Sequence, residues 1–309
     1  MKAVTCLLVA AALVTQAFAD DGEAKKRLEA AQAAWSEPEK ALEEINRALD
    51  AEPSGLLADQ CKLFKASVLQ ELGEVDEAET YFSELIRKLG TSREKVARVI
   101  KGEAMSRKAR ILFTNRGDTR AAVQLLVSSL RANPNPGTAD MASVLYLRLG
   151  RDPEKYDDKQ RAKWLQLATQ FNEESLRMNL EANKRRPEIL AKNKAKFDLQ
   201  AAMILFVTGK EDEGKAKFAA IPAQDLTAAT LYQQGLFLAL TGDEAGALAK
   251  MKEFIESRDT PSARNIARGV ARSEPDLVEH LKRPEWAEVF GEDEKVHRRR
   301  SKPTSQPNK

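Results

Sequence analysis

The chain is 309 residues long, 31% charged and only 6% aromatic, with two cysteines and two histidines. So little cysteine and histidine excludes a disulfide-stapled scaffold and a His/Cys metal site of ordinary ligand spacing, while the Ala, Leu, Glu, Lys and Arg content favours helix over strand. The net charge of +3 conceals a division. Without Lys2 and the six Lys and Arg of the last fifteen residues, the remaining body carries −4.

The first residues, MKAVTCLLVAALVTQAFADD, hold one Lys, an apolar run from Cys6 to Val14, and Ala17-Phe18-Ala19. That order predicts a secretory signal peptide over 1–19, cleaved after Ala19, and a secreted or periplasmic protein. Cys6 stands near the start of the apolar run rather than at the cleavage point, so a lipid-anchored cysteine is not expected. Cleavage leaves Cys61, in DQCKLFKA, as a lone thiol expected to be buried in a helix. No later stretch reaches the ~20 uncharged residues that a membrane-spanning helix needs.

From residue 20 onward the pattern is that of an all-α protein. KALEEINRAL, EAETYFSELIRKL, AAVQLLVSSLRA and ALAKMKEFIE each repeat apolar residues three and four apart, which gives every helix one stripe to bury. The punctuation between them is short (GEVD, RGDT, NPNPG, TGDE), so neighbouring helices are expected to run antiparallel. Four turn glycines set a common register. Gly73 is followed by Ala78 and Phe82, Gly117 by Ala122 and Leu126, Gly209 by Gly214 and Phe218, and Gly242 by Ala247 and Met251. Twelve residues before the small residue stands another small one, Ala66, Ala202 or Gly235, with Arg110 breaking the rule in the remaining case.

With its turn glycines, paired small residues and following large apolar residue, the chain resembles the tetratricopeptide repeat family. Ala41, Ile45, Ala48 and Pro53 add a further second helix at the family's spacing, although Ser36 stands where the turn glycine belongs and the family's paired Trp and Tyr are missing. The resemblance implies an α-solenoid of stacked antiparallel helix hairpins, divided as N-terminal repeats over 20–150, an irregular helical joint over 151–194, and C-terminal repeats with a cap over 195–291. The cap is SEPDLVEHLKRPEWAEVFG, with Trp286 and Phe290 four apart. The basic tail, 292–309, is expected to be disordered.

The same resemblance places a partner segment in a groove lined by the first helix of each repeat. The positions it nominates are Gln60, Ser67, Gln70, Arg107, Thr114, Met203, Phe206 and Tyr232, with Leu63, Ile111, Leu199 and Leu236 interleaved. The expected function is a non-enzymatic scaffold or adaptor that binds a protein or peptide outside the cytoplasm. The alternative is a surface-tethering protein whose tail, through Arg298, Arg299 and Arg300, binds anionic lipid or polysaccharide.

One stretch points elsewhere. GKEDEGKA, 209–216, is one letter short of the phosphate-binding loop G-x-x-x-x-G-K-[ST]. Its interior carries three acids, Ala216 lacks the magnesium-binding hydroxyl, and both glycines already have places in the repeat register, so no nucleotide is expected. No pair of carboxylates is singled out by spacing, and neither cofactor nor metal is expected.

Overall fold

The computed structural model describes residues 21–258 and 261–291; the expected signal peptide and the basic tail with Arg298, Arg299 and Arg300 lie outside them. Every regular element among the described residues is helical. The α-helices are α1 (Gly22–Ala33), α2 (Pro38–Asp50), α3 (Gly55–Leu72), α4 (Val75–Lys88), α5 (Lys95–Thr114), α6 (Thr119–Ala132), α7 (Pro136–Gly150), α8 (Asp158–Asn183), α9 (Pro187–Val207), α10 (Glu211–Ala219), α11 (Leu231–Leu240), α12 (Glu244–Glu256), α13 (Pro261–Arg272) and α14 (Pro284–Phe290). Short 3₁₀ turns occupy Ala223–Asp225, Pro275–Leu277 and His280–Lys282. Two compact units divide at Thr227/Ala228. The sequence boundary at 150/151 coincides with the end of α7, and that at 194/195 falls inside α9.

The turn glycines do what their lack of a side chain permits. Gly73, Gly117, Gly209 and Gly242 have φ of +83, +70, +85 and +86°, a left-handed conformation that other residues rarely adopt. At three of them the chain closes with the same pair of bonds. Glu74, Lys210 and Asp243 donate their amides to the carbonyls of Leu69, Leu205 and Leu238, and each glycine donates to the carbonyl three residues back. This pairing satisfies the orphan carbonyls of the preceding helix and reverses the chain. Gly117 differs. Asn115 and Arg116 intervene between α5 and the glycine, and Asp118 reaches back to Leu112 O. The longer turn accounts for the break at Arg110, which is exposed while Ala109 takes the buried place.

Within the first unit, helices from α1 to α10 each pack on their chain neighbours, and α3 also packs on α5. The small residues sit where helices touch. Ala41, Ala48, Ala66, Ala78, Ala122 and Ala202 are fully buried. Gly214 shows why size matters there, because a Cβ on it would lie 2.8 Å from Ala202 O and 3.0 Å from Phe206 N, inside the α9 backbone.

Among the described residues of the first unit, three core clusters follow one another along the chain. The first joins α1, α2 and α3, the second α3, α4 and α5, and the third α5, α6 and α7. Helix α3 therefore divides its surface: Leu57, Cys61, Phe64 and Val68 face backward, whereas Leu63, Ala66 and Leu69 face forward. Each fully buried large side chain such as Phe82 or Ile100 contributes roughly 1.5–3 kcal/mol.

Between α7, α8 and α9 the joining groups are polar. Ser143 on α7 donates to Ala168 O on α8 at 2.5 Å, and Gln200 on α9 donates to the Ser143 hydroxyl. One turn along, Lys196 pairs with Asp140 and Asn172 donates to Phe197 O at 3.2 Å. A further turn brings Ser175 to Pro136 O at 2.7 Å.

In the second unit α11 packs on α12, α12 on α13 and α13 on α14. The segment from Pro275 to Phe290 forms two 3₁₀ turns and α14. Its Trp286 and Phe290 are both buried and stack at 5.7 Å, and the His280 ring stacks on Trp286 at 5.0 Å. Arg283 ties the start of α14 to Glu244 at the start of α12.

Candidate partner-binding face

At 100° per residue, Gln60 and Ser67 lie between the backward and the forward contacts of α3, on the side of Phe64 and Leu63. Gln60 is half-buried. Ser67 is fully buried and turns its hydroxyl onto its own helix, donating to Leu63 O at 2.8 Å. Gln70 sits closer to the forward side. It is half-buried, and its Oε1 is screened from solvent with no hydrogen-bond partner among the described residues. A buried amide oxygen without a donor costs about 1–3 kcal/mol.

On α5, Arg107 is almost wholly buried. Its guanidinium lies 5.8 Å from the centre of the Trp35 ring and donates to Glu103 at 2.9 Å. Trp35 packs edge-on against Phe64 of α3 at 5.5 Å. Trp35 and Glu103 escaped the sequence reading. Trp35 follows α1 rather than lying on it, so helical spacing does not nominate it. The signal available was its rarity, as one of three tryptophans in the chain. Thr114 is half-buried, with its hydroxyl donating to Arg110 O at 2.9 Å and near Asn115 Oδ1 at 2.6 Å.

Met203 on α9 is core, as are Ile111 and Leu199. Phe206 is half-buried beneath the Lys215 ammonium, 5.7 Å from its ring centre. Tyr232 belongs to the second unit. Its hydroxyl donates to the buried carboxylate of Glu274 at 2.9 Å and its ring lies against Phe254 at 5.1 Å, with Leu236 in the core one turn on. The structure thus links Arg107 of α5 to Trp35 and Trp35 to Phe64 of α3, the helix that also carries Gln60, Ser67 and Gln70. Met203 and Tyr232 are engaged in packing.

The segment 209–216 has structural occupations throughout. AAMILFV before it is the end of α9, Gly209 makes the turn, and Gly214 is pressed against Ala202 and Phe206. Cys61 is buried, and that burial, with the charge of Asp21 second, pushes its thiol up to about 12. Such a thiol stays protonated and is a poor nucleophile at neutral pH. Among the described residues no group of three His, Cys, Asp or Glu is placed to hold a metal, and no helix is long and apolar enough to cross a membrane. Carboxylates commonly face bases on their own helix, as where Arg47 meets Glu43 and Glu44.

No protein-family model matches the chain, and no curated protein matches it.

Proposed function

We propose that the first unit is a tetratricopeptide-like solenoid that binds a protein or peptide segment along the face made by α3, α5 and α7. The observation that carries this reading is the contact between alternate helices. Helix α3 packs on α5, Thr138 of α7 reaches Ser106 of α5 at 3.3 Å, and Gln200 of α9 reaches Ser143 of α7. A stack of hairpins brings its first helices together in that skip-one order, whereas a bundle around one shared centre does not. The succession of core clusters, each shared by three consecutive helices, supports the same arrangement.

The proposed face offers a ring and a guanidinium in contact, and amides on the neighbouring α3. Trp35 and Arg107 supply rigid contact area, and Gln60 and Gln70 supply hydrogen bonds to an extended backbone. With no reactive nucleophile in the set, the role is that of an adaptor without catalysis. The apolar leader and Ala17-Phe18-Ala19 support a place outside the cytoplasm. The test is photo-crosslinking in the native host, with the photoreactive residue at Gln60 or Thr114 and, as controls, at Glu84 of α4 or Arg120 of α6. Adducts to one defined protein from the first pair alone are expected. Equal labelling from the controls would refute the assignment of the face.

A further inference from the structure

The hairpin joining α8 to α9 reaches beyond the helix it packs on. Helix α8 has 26 residues against 15 for α7, and Ser175 of α8 already meets Pro136, the first residue of α7. The eight residues from Leu176 to Asn183 therefore run past the start of α7 by roughly 12 Å. The first residues of α9 run alongside them, held by a 3.1 Å bond between Asn193 and Asn179. Helix α10 flanks only the later part of α9, where Lys217, two residues from its end, meets Asp198 at 3.1 Å.

This projecting tip is both apolar and cationic. Leu180 is 45% exposed, one of the few large apolar side chains so open, and lies one turn from the half-exposed Leu176. Ile189 and Leu190, also half-exposed, precede Asn193 by one turn and so lie at the same end of the hairpin. Residues 176–195 carry six Lys or Arg against Glu181 and Glu188, within a body whose net charge is negative. Lys184 and Lys194 are engaged by Glu181 and Asp198, but Arg185, Arg186 and Lys192 are exposed and make no ion pair among the described residues.

We propose that this tip docks on the surface of an anionic lipid bilayer, with Leu180, Ile189 and Leu190 entering the headgroup boundary and Arg185, Arg186 and Lys192 meeting lipid phosphates. Charge alone would suit any polyanion. The exposed leucines and isoleucine gain nothing from a nucleic acid backbone, whereas at a lipid interface their transfer from water adds to the electrostatic attraction. A convex tip cannot enclose a peptide, but it meets a flat surface without rearrangement. The tip is distinct in sequence from the cationic tail and lies on other helices than the face on α3 and α5.

The test uses the full chain and a chain ending at Gly291, so that the tail is removed from the result. Both are sedimented with vesicles of phosphatidylcholine mixed with phosphatidylglycerol, and with phosphatidylcholine alone. Both chains should bind the anionic vesicles, with binding falling as salt rises. Combined Arg185→Glu, Arg186→Glu and Lys192→Glu should weaken it by roughly a hundredfold or more, at about fivefold per charge near such a surface. Leu180→Ser should weaken it severalfold with charge unchanged. Independently of those variants, Leu180→Trp should shift its emission to the blue on anionic vesicles only. Loss of binding on removal of the tail, an unshifted tryptophan, or capture by soluble polyglutamate with none by vesicles would overturn the proposal.

Discussion

The close approach of α9 and α10 at Gly214 gives the sharpest energetic test of the fold, because it reverses the usual sign of a common substitution. In the interior of an exposed helix, Gly→Ala stabilises by about 1 kcal/mol through the backbone entropy that glycine loses on folding. At Gly214 the new Cβ would stand 2.8 Å from Ala202 O, 3.0 Å from Phe206 N and 3.2 Å from Phe206 Cβ, where ordinary contact begins at 3.4 Å. Two of those atoms are backbone, so no rotamer change relieves the clash and the helices must separate. Overpacking of this kind costs about 1–3 kcal/mol, which outweighs the propensity gain and leaves a net loss of about 1 kcal/mol. For a unit of this size that lowers the melting temperature by about 2–4 °C. Gly269 in α13 is the control, since a Cβ there would meet nothing within 4 Å. Because the two positions lie in different units, hydrogen exchange of α10 and α13 amides reads each effect locally. Protection should fall in α10 for Gly214→Ala and rise in α13 for Gly269→Ala. A gain in α10 equal to that in α13 would mean that the two backbones do not meet there, and the small-residue argument would fail with it.

Four further outcomes are expected. Gly73→Ala, Gly209→Ala and Gly242→Ala should each cost about 1 kcal/mol in urea titrations, since nothing crowds the new Cβ and the left-handed φ alone is charged against it. Conversely, Glu52 holds φ of +51° just after α2, so Glu52→Gly should raise the urea midpoint by up to about 1 kcal/mol in stability. Burial acts to raise the Asp198 carboxyl, but hydrogen bonds from Lys194 and Lys217 outweigh it and hold the group below the usual carboxylate range. Its contribution is therefore present above the unfolded-state value and lost as pH falls through the lower folded one. An acid titration of Asp198→Asn should show a shallower decline in stability below about pH 4 than the parent chain. Cys61 should resist a thiol reagent at pH 8 until the chain opens; reaction at the rate of a free thiol would contradict its burial.

The legible part of the fold was the part written in backbone requirements. A left-handed turn admits few residues besides glycine, so Gly73, Gly209 and Gly242 announce themselves. A backbone contact admits only small side chains, so Ala66 with Ala78 and Ala202 with Gly214 can be paired by counting. Counting failed at Arg110 because the α5–α6 turn is longer, a feature that the register cannot express when only the glycine is aligned. The candidate face was harder to read for a related reason. A nominated position states where a Cα sits on its helix, while the fate of the side chain depends on neighbours far away in sequence. Ser67 bonds to its own helix, Met203 is taken into the core, and Arg107 is claimed by a tryptophan seventy-two residues earlier, at Trp35.

The α7–α9 region hid its packing because the groups that join its helices are ones that a sequence reading assigns to solvent. Ser143, Gln200, Asn172 and Ser175 look like surface until each is found bonded to a carbonyl or hydroxyl of another helix. Such a seam is specific without being strongly stabilising, since each internal hydrogen bond replaces one with water and nets about 1 kcal/mol, whereas a lost partner leaves a buried group unsatisfied. The two cases separate in a double-mutant cycle. Ser143→Ala strands the fully buried Gln200 amide and should cost about 1–3 kcal/mol, while adding Gln200→Leu should restore much of that loss because both polar groups are then gone. Full additivity of the two changes would show that Ser143 and Gln200 do not depend on each other. The link between alternate helices at α7 and α9, on which the stacked arrangement leans, would then have to come from other groups.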